Sequence, residues 1–142
     1  MFGKAQVFKP ALAMGFATLL VASQSPHDDP GIGVLCLGTM VYFIDKTGQQ
    51  CRAGEDPEFQ ARISAYVERF DDYIIRNIEG GQVTLERFKD DQNLNLTDPE
   101  YICEGDVADL YDHFKALNAE ELDIAVEAAI AIDGPPRWGD CI

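Results

Sequence analysis

CEGDVADLYDHFKALNAEELDIAVEAAIAIDGPPRWGDC, residues 103–141, is the stretch whose reading decides the fold. Gly105 breaks the preceding turn and Asp106 is placed to cap a helix, with Val107, Leu110, Tyr111, Phe114 and Leu117 as its apolar stripe. Asn118 followed by Glu121 is a second helix-start signature, and Leu122, Ala125, Val126, Ala129 and Ile130 continue a new stripe. The chain therefore turns at Asn118. Ala125, Ala128 and Ala129 permit close approach of the last helix to a neighbour, Gly134 fits a left-handed C-cap, and Pro135 prevents continuation. Two amphipathic helices cannot bury their faces alone, so the rest of the chain must pack on them.

Upstream, Asp56-Pro57-Glu58 supplies an N-cap, a proline at the first helical position and an acid in the first turn. Phe59, Ile63, Tyr66, Val67, Phe70, Tyr73 and Ile74 then recur at three- and four-residue steps until Asn77 to Gly81 stops the helix. Such an aromatic stripe is a core face. Thr84 reads as the cap of a short helix bearing Leu85 and Phe88, and Thr97 with Glu100 as a capping box around Pro99 that leads to Cys103. Between Val34 and Gln50, Leu37, Met40, Val41 and Ile44 fall at helical spacing. Met40 to Ile44 followed by Asp45-Lys46-Thr47-Gly48 also fits a strand and hairpin turn. A helix ending at Gly48 agrees better with the helical segments that follow. The fold class is all-α: a disulfide-clamped bundle of four to five helices.

Residues 1–23 read as a cleaved signal peptide: Lys4 and Lys9, an apolar run from Ala11 to Ala22, then Val21-Ala22-Ser23 at the cleavage site. A retained N-terminal anchor is the alternative. Residues 24–33 form a flexible lead-in, and residues 34–142 a single domain. Removal of residues 1–23 takes away two lysines and no acid, leaving nine basic against 25 acidic residues and a formal charge of −16. Four cysteines, Cys36, Cys51, Cys103 and Cys141, in an exported chain of this size imply two disulfides, with three connectivities open. The expected location is periplasmic or secreted.

A strongly negative chain repels nucleic-acid phosphates and anionic membranes, and attracts basic proteins. Between Asp90 and Cys141 there are 14 acidic residues against Lys115 and Arg137. Asp106, Asp109, Asp112, Glu120, Asp123 and Glu127 on the outer faces of the last two helices form the expected partner-binding surface, with Trp138 as an anchor or as a lid over the bundle end. No catalytic set, cofactor or metal site is expected. His113 and Asp109 share a helical face, but no nucleophile or metal accompanies them. Asp91-x-Asn93-x-Asn95 begins like a calcium loop but lacks its glycine and closing glutamate. Gly31, Gly33 and Gly38 meet no phosphate-loop spacing.

The layout of two early cysteines, Cys103 ahead of Val107, Leu110 and Tyr111, the alanine-rich helix, and Cys141 closing the chain resembles the periplasmic immunity proteins that neutralise type VI secretion amidases. The resemblance is to the second half above all. It implies a helical, non-enzymatic periplasmic protein that neutralises a cell-wall hydrolase. Two features depart from the family pattern: thirteen residues separate Cys51 from Ala65-Tyr66-Val67, and the tail reads Gly134-Pro135-Pro136-Arg137-Trp138 in place of a short aromatic-Pro-Cys ending. No family binding residue carries over. The alternative is a periplasmic envelope or stress-related structural protein without a tight partner.

Overall fold

A computed structural model describes residues 33–139. The residues read as a signal peptide, nearly all of those read as a lead-in, and Cys141 lie outside the described residues. Within them the chain is all-helical: α1 (Val34–Cys51), α2 (Pro57–Asn77), α3 (Gly81–Asp91), α4 (Pro99–Cys103), α5 (Gly105–Ala116) and α6 (Ala119–Ile130). The number exceeds the expected four to five because the Pro99 segment closes as a turn-length helix of its own.

The central element is α1, which packs against α2, α4, α5 and α6. Leu37, Val41 and Ile44 are wholly buried, and Val34, Cys36, Gly38, Tyr42, Thr47 and Gly48 are buried around them. Apolar residues on so many sides make α1 a core helix with no broad polar face. Antiparallel to it, α2 contributes Ile63, Tyr66, Phe70, Tyr73 and Ile74. Leu85 from α3, Ile102 from α4, Tyr111 and Phe114 from α5, and Leu122 and Val126 from α6 complete the buried set. The helix reading of residues 40–51 holds, but the helix does not stop at Gly48. That glycine is buried where α1 meets α2 and α5: a Cβ there would lie 3.2 Å from Gln60 Cγ and 3.3 Å from Tyr111 Cε2. Close approach, not termination, is its role, and the helix continues to Cys51.

Several helix starts differ from expectation in the same way. Thr84 lies inside the first turn of α3, which begins after Gly80 in the left-handed region at φ 88°, and its hydroxyl donates to the Glu79 carbonyl. Asp98, not Thr97, caps α4 and accepts from the Glu100 N–H at 3.0 Å. The cap of α5 is Glu104, which places Asp106 in the first turn, where its charge meets the positive end of the helix. Asp56 occupies the N-cap of α2 but its carboxylate does not bond that helix end. Asn118 caps α6 as expected, accepting from the Glu120 N–H at 2.8 Å. At the other end α6 runs out at Ile130 through a right-handed Ala131, so Gly134 is not its C-cap.

Polar ties hold the helices in register. α6 runs alongside α2 in the same direction: Tyr66 donates to Asp123, Arg69 pairs with Glu127 at 2.6 Å, the Tyr73 hydroxyl donates to the Ile132 carbonyl at 2.8 Å, and Arg76 pairs with Asp133 at 3.2 Å. Asp71 on α2 receives both the Tyr42 hydroxyl from α1 and the Lys89 ammonium from α3 at 2.8 Å, with that ammonium also over the Tyr42 ring. Lys46 reaches from α1 to the carbonyls of Leu94 and Leu96, both at 2.7 Å, and fixes the loop between α3 and α4.

Burial, and then the carboxylates that accept their hydroxyls, push Tyr42 and Tyr66 well above the ordinary tyrosine range. A group whose pKa is raised in the fold stabilises it fully below its unfolded value, about 10, and loses that contribution as pH rises beyond it. Unfolding measured from pH 8 to 11 should therefore show stability falling above pH 10, by up to about 1.4 kcal/mol at pH 11 for Tyr42 and by less for Tyr66, which solvent screens more. Replacement of both by phenylalanine should flatten that part of the curve.

Cys51 at the end of α1 is bonded to Cys103 at the end of α4, with a Cα–Cα distance of 5.5 Å. Cys36, buried on α1, is also disulfide-bonded. The segment after α6 folds back to the start of α1, where the Leu35 N–H donates to the Arg137 carbonyl at 3.0 Å. A Cβ on Gly33 would lie 1.8 Å from the Trp138 carbonyl oxygen, so only glycine admits the tail there.

Candidate functional site

The acids proposed from sequence are all exposed on α5 and α6, but they do not all have the same surroundings. Asp112 pairs with Arg52 at 3.3 Å, Asp123 receives the Tyr66 hydroxyl, and Glu127 pairs with Arg69. These three tie the last two helices to α1 and α2. The side chains of Asp106, Asp109 and Glu120 make no ion pair or hydrogen bond among the described residues. A sequence scan for acids on outer helix faces finds all six, yet it misses the tethers, because the cations and the tyrosine that form them lie 57 to 60 positions upstream.

Trp138 is 45% exposed and lies against Phe88 of α3, ring centroids 5.9 Å apart. Its neighbours Gly33 and Leu35 mark the start of α1, while Arg52, the partner of Asp112, follows its end. Seventeen helical steps of 1.5 Å separate those ends by about 26 Å. Trp138 and the α5 acids therefore sit at opposite ends of the bundle, and α6 runs from one end to the other.

At the α5 end, Asp56 gathers a polar network. Its carboxylate pairs with Lys115 at 2.7 Å and receives the Tyr111 hydroxyl at 3.2 Å, and Gln60 bonds both Tyr111 and the Arg52 carbonyl. The Lys115 ammonium holds the Asp56 carboxyl below its usual range, and Asp56 in turn raises Lys115. A carboxylate with a depressed pKa stabilises the fold at neutral pH and loses that contribution as pH falls through the folded value. Beside the network a groove of about 460 Å³ is lined by Glu58, Phe59, Arg62, Phe114, Leu117 and Leu122. Nothing in its lining pairs a nucleophile with a base.

The His113 ring lies against Phe114, centroids 6.2 Å apart, and makes no hydrogen bond to Asp109 among the described residues. No group of three or more His, Cys, Asp or Glu side chains is arranged to hold a metal ion, and no helix is long and apolar enough to cross a membrane, among those same residues.

Comparison of the chain with protein-family models, with curated proteins and with solved structures gives no match in any of the three.

Proposed function

We propose that this is an exported, non-enzymatic protein, periplasmic or secreted, that binds a basic protein through the acidic faces of α5 and α6. The reading extends to an inhibitor or immunity protein whose target is a cell-wall hydrolase. What carries it is one observation: Asp106, Asp109, Asp112, Glu120, Asp123 and Glu127 are exposed on two consecutive helices whose only basic side chain of the Lys/Arg type is Lys115, itself engaged by Asp56. A field of that sign speeds encounter with cationic surfaces and weakens as salt rises, since screening shortens to about 8 Å at physiological ionic strength.

The competing reading, an envelope-structural protein without a tight partner, draws support from Asp112, Asp123 and Glu127, whose carboxylates serve the fold. One experiment separates them. The oxidised chain and a variant with Asp106→Lys, Asp109→Lys and Glu120→Lys are used as bait in periplasmic or secreted extract at low and high salt. Those three acids make no side-chain tie, but Asp106 and Glu120 lie in the first turns of α5 and α6, so the variant should lose about 1–3 kcal/mol of stability, and its circular dichroism at the assay temperature is the folding control. Recovery of a basic hydrolase by the parent, its release at high salt and its loss with the variant support binding. If parent and variant both recover nothing at low salt, the structural reading stands.

A further inference from the structure

The outward side of α6 is not acidic throughout. At about 100° per residue, Ile124 lies opposite the buried Leu122 and Val126, and Ala128 and Ala131 fall within about 40° of it on the same side. Ile124 is 61% exposed, and Ile132, just past the end of the helix, is 69% exposed. Glu120, Asp123 and Glu127 flank this ridge on one side, with Asp123 and Glu127 also held by Tyr66 and Arg69 of α2, and Glu121 flanks it on the other; α6 itself carries no cation. Apolar side chains scattered singly on a surface need no explanation, but several in one line along a helix form a patch.

Charge decides what fits there. A second copy of this chain would bring acid against acid, and an anionic lipid surface is repelled for the same reason. A cationic amphipathic helix matches both components: its apolar stripe meets Ile124 with Ala128 and Ala131, whose small side chains allow close packing, while its lysines or arginines meet the flanking carboxylates. We infer that the outward ridge of α6, centred on Ile124 and rimmed by Glu120, Glu121, Asp123 and Glu127, is the contact centre for a basic amphipathic helix of the partner. The inference rests on the function proposed above and adds to it that affinity is held by apolar contact, with the acids supplying encounter and orientation.

Two synthetic fourteen-residue helical peptides of equal charge test this, one of lysine and leucine with all leucines on one face, the other with serine in place of leucine. Binding is measured by fluorescence anisotropy at low salt, with the full oxidised chain and with its Ile124→Asp variant. Ile124 is solvent-facing, so Ile124→Asp should keep the parent's circular dichroism and melting, and Ile132→Asp provides a second variant if it does not. The parent should bind the leucine peptide about tenfold more tightly than the serine peptide, and Ile124→Asp should erase that preference despite its extra negative charge. Equal binding of the two peptides, or tighter binding by Ile124→Asp, overturns the ridge and leaves the acidic surface standing as the site. Failure of both peptides to bind overturns the ridge and the acidic-surface reading together.

Discussion

Replacing Phe70 with alanine should cost about 3–5 kcal/mol of folding stability, measured by urea or guanidinium unfolding. Phe70 is wholly buried in the middle of α2 and faces Gly38 of α1, where a Cβ would meet the ring at 3.6 Å, an ordinary van der Waals contact. With the ring removed, neither glycine nor the fixed helix axes can refill the space, so the cavity term adds in full to the lost burial. Val83→Ala on α3 is the matching control: it removes methyl groups from a side chain 69% exposed and should stay within about 0.5 kcal/mol of the parent. A loss below 2 kcal/mol at Phe70 would mean that α1 and α2 close over the gap.

The same contact shows where a reading from sequence succeeds and where it fails. The stripe Phe59, Ile63, Tyr66, Phe70, Tyr73 and Ile74 is legible because periodicity records burial directly, and α2 runs from Pro57 to Asn77 with those residues inward. Residue type alone places Gly48 and Gly134 at helix ends, and neither ends a helix. At Gly48 the glycine serves close approach, and a single chain does not say which neighbour will come near. The α4 cap moves from Thr97 to Asp98, since neighbouring residues of similar capping ability compete, while α5 starts at a Glu104 N-cap that makes no side-chain cap bond, so residue type does not mark that start. Asp56 is the clearest case: its type and position mark a cap, while Lys115 and Tyr111 from a distant helix claim its carboxylate. The acidic face was legible for a related reason. Charge on a helix surface follows from spacing alone, whereas the division of those acids into internal ties and unengaged carboxylates depends on Arg52, Tyr66 and Arg69 across the bundle.

Removal of the Cys51–Cys103 bridge by Cys51→Ser with Cys103→Ser should cost about 4 kcal/mol, the chain-entropy value for a loop of this size, since the bridge spans a sequence separation of 52. For a domain of roughly a hundred residues that corresponds to a fall in Tm of about 15 °C. The loop it closes contains all of α2 and α3, so the denatured chain without it gains freedom over the segment that supplies half the core. The denaturant slope should rise along with the fall in midpoint, because an uncrosslinked denatured state exposes more surface. Native packing at the bridge has its own support: Thr47, fully buried, donates to the carbonyls of Phe43 at 2.9 Å and Ile102 at 3.3 Å, and Ile102 is itself wholly buried beside Cys103. The folded serine variant should therefore keep its helical content and its α1–α4 contact, and lose stability mainly through the denatured state. A loss under 1 kcal/mol with an unchanged slope would show that the denatured chain is already held compact across this segment. A loss of about 4 kcal/mol with altered helical content would instead place the effect in the native state, at the start of α5 where Asp106 and Asp109 are displayed. That second outcome would couple the redox state of Cys51 and Cys103 to the partner-facing acids, so the peptide-binding measurement on the serine variant distinguishes the two sources of the same free-energy loss.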